Sequence, residues 1–201
     1  MKAQPKYKIC RRLGPGVHEK CQSPKFSAQT QKGGKGAKRP KPLSGYGEQL
    51  LEKQKIRFSY GISERQFASY VKKATAKKGS HAKDVLNELL ECRLDNVIYR
   101  LGLAPTRRAA RQMVSHGHFT VNGKRTMVPS YSVHVGDVIA VREGSKSKAF
   151  FSELENKLKN YKNPAWLKFD IGAVRATVES RPVSLPDEQF NFNTVLEYYS
   201  R

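Results

Sequence analysis

The sequence is poor in cysteine and in acidic residues, and it has no long apolar run. Its 201 residues include three cysteines, and 17 aspartates and glutamates stand against 38 lysines and arginines. No apolar stretch approaches the roughly 18 residues of a membrane span, and no signal-peptide pattern is present. Three cysteines make no paired framework, so we expect free thiols in a reducing compartment. We therefore expect a cytoplasmic protein with no membrane partner.

The excess of basic residues gives a formal net charge of +21, which favours a polyanionic partner. Residues 1–46 alone hold 12 lysines and arginines and a single acid, Glu19. This segment is rich in glycine, proline and serine, so it cannot bury enough apolar surface to order alone. We expect an extended basic arm that contacts nucleic acid.

Helical patterns follow the arm. Residues 47–60 form the first, which stops at Gly61, and Ser63 is in place to cap a second whose apolar residues recur with helical spacing. The stretch 82–101 predicts one long core helix, because leucine, valine and isoleucine recur along it.

The next segment combines a short helix with a hairpin. Thr106 is a good N-cap for a helix over 107–116, and Gly117 suits the left-handed position after it. Asn122–Gly123 is a strong signal for a type I′ hairpin turn, and a third strand is expected over 137–142. Further elements are expected as a helix over 150–161 and strands over 166–169, 173–178 and 195–199.

Arg107, Arg108 and Arg111 fall on one side of the 107–116 helix, and we call them the arginine face. No acid occurs between residues 96 and 136, so no partner on the same helix neutralises them. RNA phosphate accepts guanidinium hydrogen bonds in bidentate fashion, and the positive end of the helix adds to the attraction. We therefore interpret the arginine face as an RNA contact.

Metal and nucleotide sites are not supported. Cys10, His18 and Cys21 lie near each other, but the two cysteines are too widely spaced for a zinc knuckle and a fourth ligand is missing. His116 and His118 point differently and make no joint metal site. Because no phosphate-binding loop pattern is present either, we expect neither metal nor cofactor.

Asp95 carries the alternative hypothesis of an enzyme. It lies in the tripeptide Arg93–Leu94–Asp95, which also occurs around the catalytic aspartate of pseudouridine synthases. A catalytic aspartate there would need a base-flipping pocket that the remaining chain does not supply. The simpler interpretation is an aspartate that pairs with an arginine or faces solvent.

Two longer motifs carry a family resemblance. The stretch "RLDNVIYRLGLAPTRRAARQMVSHGHFTVNGKR", followed by "PSYSVHVGDVIAV", resembles the S4 domain, a module of helices and a short antiparallel hairpin. With "EKQKIRFSYGISERQF" and the terminal "EYYSR", the chain resembles the uS4 family of bacterial small-subunit ribosomal proteins.

The resemblance implies a primary binder of 16S rRNA that nucleates assembly of the 5′ domain. It also implies ribosomal protein uS5 as a neighbour, a place near the mRNA entrance channel and an effect on translational accuracy. Zinc-bearing members have four cysteines near the N-terminus, but Tyr7 and Phe26 stand at two of those positions here. The resemblance therefore also implies that zinc is absent.

These observations predict a non-enzymatic α+β protein: a helical domain with a basic N-terminal arm, and an S4 RNA-binding domain of helices and a small antiparallel sheet. The expected divisions are a basic extension over 1–46, a helical domain over 47–93 on which 190–201 packs, and the S4 domain with a following α/β segment over 94–189. The expected RNA-binding residues are Lys6, Lys8, Arg11, Arg12, Lys53, Lys55, Arg57, Arg65, Arg107, Arg108, Arg111, His116, His118, Asn122 and Lys124.

Overall fold

The structure, a computed structural model, describes residues 6–24, 26, 42–146, 151, 158, 161, 163–170, 172–183 and 190–200. These residues fall into two compact units, the first drawn from 1–86 and 184–201 and the second from 87–183. Among the described residues, no helix has both the length and the apolar character that a bilayer crossing requires.

The first unit is helical. Its helices are α1 (Lys6–Leu13), α2 (Gly45–Tyr60), α3 (Glu64–Ala76) and α8 (Phe192–Tyr199), with short 3-10 turns at Pro15–Val17 and Glu19–Gln22. The predicted cap at Ser63 is confirmed, because its Oγ accepts a hydrogen bond from the backbone N–H of Gln66 at 3.3 Å. Helix α2 ends at Gly61 in the left-handed conformation, with φ of 61°.

The prediction of an extended arm is wrong for Lys6–Gln22, and so is the expectation of three free thiols. Cys10 and Cys21 form a disulfide, and together with Phe26 they make a small buried cluster. Tyr7 stacks on Phe26 with ring centroids 5.8 Å apart. The composition of the arm as a whole concealed this local cluster, because its most polar part is residues 27–41, which lie outside the described residues.

The C-terminal strand predicted over 195–199 is also wrong, because this segment is part of α8. Asn191 caps the helix by accepting a hydrogen bond from the N–H of Thr194 at 3.2 Å. Phe192 and Val195 are buried at the three-residue spacing of a helix face, and α8 packs against α2.

The second unit contains α5 (Leu94–Arg100), α6 (Arg107–Ser115) and the short α7 (Glu143–Lys146), while α4 (Ala82–Glu91) includes residues of both units. The single helix predicted over 82–101 is therefore wrong. Arg93 is extended and bridges to Ser132 across the gap between α4 and α5. The N–H of Leu94 donates to the carbonyl of Tyr131, at 2.9 Å, so a distant loop satisfies the start of α5.

A five-stranded antiparallel sheet completes the second unit. Its strands are β1 (Phe119–Val121), β2 (Lys124–Arg125), β3 (Val138–Val141), β4 (Leu167–Asp170) and β5 (Arg175–Val178), in the spatial order β2-β1-β3-β5-β4. Asn122 and Gly123 both have positive φ, at 50° and 78°, which confirms the predicted hairpin turn. Of the helix predicted over 150–161, the structure describes Phe151, Leu158 and Tyr161, and the first two are buried in the core.

This core lies between the sheet and the helices of the second unit. Leu94, Val97 and Ile98 of α5 and Ala110 and Val114 of α6 are buried against it. Packing of α5 on α6 fixes which side of α6 faces the solvent. The fold of the second unit is thus α+β, as predicted.

Candidate nucleic-acid interface

Helix α6 presents the arginine face because its other side is buried. Thr106 starts the helix, accepting a hydrogen bond from the N–H of Ala109 at 3.1 Å, and Gly117 follows its end with φ of 70°. Ala110 and Val114 are fully buried, whereas Arg108 is exposed. The amphipathic character read from the sequence is therefore present in the fold.

Arg111 departs from the expectation that the arginine face has no acidic partner. Its Nε and one terminal nitrogen lie 2.8 and 2.7 Å from Oδ2 of Asp95. Asp95 also pairs with Arg93, whose nitrogens lie 3.0 and 2.8 Å from the two carboxylate oxygens. That expectation is wrong for Arg111, because its acidic partner lies on α5 and not on its own helix, one residue before the acid-free stretch begins.

Arg107 is held by uncharged groups of α5. Its Nε donates to Oδ1 of Asn96 at 2.7 Å, and its guanidinium lies 4.4 Å from the ring centroid of Tyr99. Asn96 is in turn fixed by Glu91, whose carboxylate accepts from Nδ2 of Asn96 at 3.0 Å and makes a two-point contact with Arg100. These two contacts restrict the orientation of the Arg107 guanidinium.

The hairpin adds cations beside the end of α6. His116 and Lys124 are exposed, and so is Arg125, which we did not include among the expected residues. A terminal nitrogen of Arg125 lies 3.3 Å from the carbonyl oxygen of His116, and its guanidinium covers Gly117. Strand alternation places Lys124 and Arg125 on opposite faces, but both are exposed because β2 is at the edge of the sheet. The position of Arg125 beside the hairpin turn is the sequence feature that indicates its exposure.

His118 and Asn122 serve the fold. His118 is 7% exposed, and its Nδ1 lies 3.0 Å from the hydroxyl of Ser145. Asn122 uses both ends of its amide: Nδ2 donates to Asp137 and Oδ1 accepts from the N–H of Val138, each at 2.8 Å. We leave both out of the proposed surface, because the first is not accessible and the second closes the hairpin.

The basic residues expected to bind RNA in the first unit also divide into structural residues and exposed candidates. Lys53 is buried and its Nζ lies 2.8 Å from a carboxylate oxygen of Glu64, which also pairs with Arg57 at 3.5 Å. Burial raises the pKa of Glu64, but hydrogen bonds from Lys53 and Tyr199 and the nearby positive charges outweigh it, so its pKa lies below the usual value. Lys53 is therefore a structural residue.

The remaining predicted cations of this unit stay candidates. Lys55 is partly exposed beside Glu52, at 3.5 Å, and Lys6 is partly exposed. The fully exposed ones are Lys8, Arg11, Arg12 and Arg65.

No metal site forms among the described residues, since no three side chains of the ligating types His, Cys, Asp and Glu come together there. The disulfide takes up both thiols of the N-terminal segment. The free thiol, Cys92, is buried, and burial together with Glu88 and Glu91 raises its pKa to about 12.

The position of Asp95 argues against catalysis. Its side chain is 3% exposed and both oxygens are engaged by guanidinium groups. A general base or nucleophile must reach a substrate, and this carboxylate faces the interior. Its pairing with arginine follows the simpler of the two interpretations drawn from the sequence.

Comparison with known proteins gives a consistent result along the chain. A family model described as "Ribosomal protein S4/S9 N-terminal domain" matches residues 2–91, and one described as "S4 domain" matches residues 92–139. Small ribosomal subunit protein uS4 of Acetivibrio thermocellus is 44% identical over 204 residues, which cover 96% of each chain. The protein of that name from Chloroflexus aurantiacus is 43% identical over 96% of each chain. Small ribosomal subunit protein uS4c of Oltmannsiellopsis viridis is 44% identical over 98% of this chain and 97% of its own.

Proposed function

Since this chain belongs to the family of small ribosomal subunit protein uS4, we propose that it is a structural, non-enzymatic component of the small ribosomal subunit. In this role it binds 16S rRNA early, nucleates assembly of the 5′ domain and contributes to translational accuracy. The family relationship also supports ribosomal protein uS5 and mRNA near its entrance channel as neighbours, and the ribosome of the cytoplasm as the place of action.

One observation carries the proposal of direct RNA binding. Arg108 on α6, His116 at its end and Lys124 and Arg125 on β2 are all exposed within a stretch that contains no acid. Helix α6 and the hairpin pack on the same buried core, and the Arg125 guanidinium lies against the carbonyl of His116, so we treat the four groups as one candidate surface. We call Arg108, His116, Lys124 and Arg125 the exposed basic surface.

The surface suits recognition of RNA shape. A-form RNA hides its base edges in a deep groove but presents phosphates and 2′-hydroxyls. Arginine donors bind phosphate in a bidentate way, whereas lysine acts as a point charge. The buried contacts of α6 and the hairpin fix the spacing of these donors, so we expect phosphate and shape readout to dominate over base readout.

Chemical footprinting on deproteinised small-subunit rRNA tests the proposal. We expect protection confined to one junction of helices in the 5′ domain. Protection scattered over the whole RNA, or none at micromolar protein, would refute specific rRNA binding.

Salt dependence then tests the surface itself. Replacing both Arg108 and Lys124 by alanine removes two phosphate contacts, so the slope of log affinity against log salt should fall by roughly 1.5. Lys168→Ala combined with Arg175→Ala is the charge-matched control, because it removes two exposed cations from β4 and β5, the two strands farthest from β2 in the sheet. An equal change in slope for the control would mean that the second unit binds RNA without using this surface.

A further inference from the structure

We propose that Asp95, Asn96 and Tyr99 of α5 are positioning residues for RNA binding, because they fix the orientation of Arg111 and Arg107. The inference rests on the proposed rRNA binding and deepens it. It assigns a role in recognition to one acid and two uncharged residues that carry no positive charge to RNA.

Asp95 is a rigid anchor for Arg111. Two nitrogens of Arg93 engage its carboxylate at 3.0 and 2.8 Å, so the carboxylate cannot rotate freely before Arg111 binds it. Arg111 then contacts Oδ2 with two nitrogens, at 2.8 and 2.7 Å. The Arg111 side chain is 30% exposed, whereas Asp95 is 3% exposed. The Arg111 guanidinium is therefore partly exposed at the surface while its buried contact with Asp95 fixes its position.

Asn96 and Tyr99 hold Arg107 from two directions. Asn96 Oδ1 accepts from Nε of Arg107 at 2.7 Å, and the Tyr99 ring lies under the guanidinium at 4.4 Å. Asn96 is itself locked by Glu91, to which its Nδ2 donates at 3.0 and 3.1 Å. A side chain held edge-on by an amide and face-on by a ring has little rotational freedom left.

Fixed arginines matter for a target recognised by shape. Ordering a long flexible side chain on binding costs conformational entropy, and that cost is already met when the side chain is held in the free protein. Two guanidinium groups at a set spacing also discriminate between RNA backbones that present phosphates at different distances. The α5 residues should thus increase affinity for the cognate RNA more than affinity for an unrelated RNA.

For a neutralised Asp95, positioning and simple electrostatics predict opposite changes in RNA affinity. A carboxylate next to an RNA surface repels phosphate, so its neutralisation should strengthen binding if charge alone decides. Positioning predicts the opposite, since Arg111 loses its anchor. Asp95→Asn keeps the shape of the side chain and raises the net charge by one, which separates the two effects.

The experiment measures affinity of the full chain for a 5′-domain rRNA fragment and for an unrelated RNA duplex. We expect Asp95→Asn to weaken binding to the fragment about tenfold, and Tyr99→Leu about fivefold, with binding to the duplex unchanged or slightly stronger. Glu143→Gln is the matched control, because it neutralises an acid of the same unit whose side chain is 85% exposed, and it should not weaken binding to the fragment.

A mutant cycle separates positioning from general destabilisation. In an Arg107→Gln background Tyr99→Leu should have no further effect on affinity for the fragment, and in an Arg111→Gln background Asp95→Asn should have little. Additive losses would overturn the inference. So would an Asp95→Asn protein that is folded by tryptophan fluorescence and binds the fragment at least as tightly as the parent.

Two further outcomes are decisive. If Asp95→Asn does not fold, Tyr99→Leu and its cycle with Arg107→Gln decide the question, because leucine keeps the apolar packing of this partly buried position. If the parent protein itself fails to distinguish the fragment from the duplex, the proposed function fails, and the inference falls with it.

Discussion

Asp95 neutralises Arg93 in the interior of the second unit, so replacing Asp95 by alanine should cost far more stability than replacing its partly exposed partner Arg111 by alanine. Arg93 and Asp95 are both 3% exposed, so Asp95→Ala leaves a guanidinium that water cannot reach. Removing one partner of a buried ion pair costs about 3–5 kcal/mol. Since a domain of this size is stable by roughly 5–15 kcal/mol, a large share of the stability would be lost.

Arg111→Ala is the informative comparison. It removes a pair that is partly solvated, and Asp95 keeps both contacts to Arg93, so the expected cost is only about 1 kcal/mol. Arg93→Met combined with Asp95→Ala should recover most of the loss, because no charge is then left in the interior without a counter-ion.

Urea unfolding followed by tryptophan fluorescence measures these differences directly. Trp166 is the one tryptophan of the sequence, and it lies in the core of the second unit, so its signal reports unfolding of that unit. Equal costs for Asp95→Ala and Arg111→Ala would show that Asp95 is not the counter-ion that the interior requires, and the reasoning would be refuted.

Three further predictions concern titratable and thiol groups. Glu64 has a pKa below its ordinary value of 4.5, so its ionised form stabilises the first unit above that pH. This contribution is lost as the pH falls through the lower pKa of the folded state. Glu64→Gln should therefore flatten the acid limb of a plot of thermal stability against pH. Cys92, with a pKa of about 12, should not react with a thiol reagent at pH 8 until the chain is unfolded. In the absence of reductant, the Cys10–Cys21 disulfide closes a loop with a sequence separation of 11, which stabilises by about 3 kcal/mol in the loop-entropy account. Replacing both cysteines by serine should therefore raise hydrogen exchange in α1 under these oxidising conditions.

Each of these has a contrary result. An acid limb of the same steepness for Glu64→Gln would show that another group titrates there. Rapid modification of Cys92 in the native protein would mean that the helix end around it opens readily. Unchanged exchange in α1 after loss of the disulfide would mean that its other contacts, which include Tyr7 stacked on Phe26 and the packing of α1 on α2, are sufficient to order the segment.

Local signals in the sequence were sufficient for much of the fold. The caps at Ser63 and Thr106, the left-handed Gly117 and the turn at Asn122–Gly123 all depend on a few adjacent residues. Backbone conformation at such positions is decided by nearby side chains and steric limits, which a sequence displays directly.

The misses involve partners that are distant in sequence. The break between α4 and α5 at Arg93 depends on hydrogen bonds to the loop around Tyr131. The spacing of apolar residues along a helix carries no information about such a distant partner. Arg111 lies 16 residues after Asp95, so its ion pair exists only once α5 packs on α6. His118 carries a polar ring that suits a surface equally well, and only its burial against Ser145 shows its role.

The Arg125 guanidinium occupies the space where a side chain at position 117 would begin. A Cβ built on Gly117 overlaps three atoms of the Arg125 guanidinium, so a larger residue there displaces the arginine from its place beside the His116 carbonyl. Positions 117 and 125 should therefore change together during evolution. Members of the family that carry a bulky residue at the first should have lost arginine at the second.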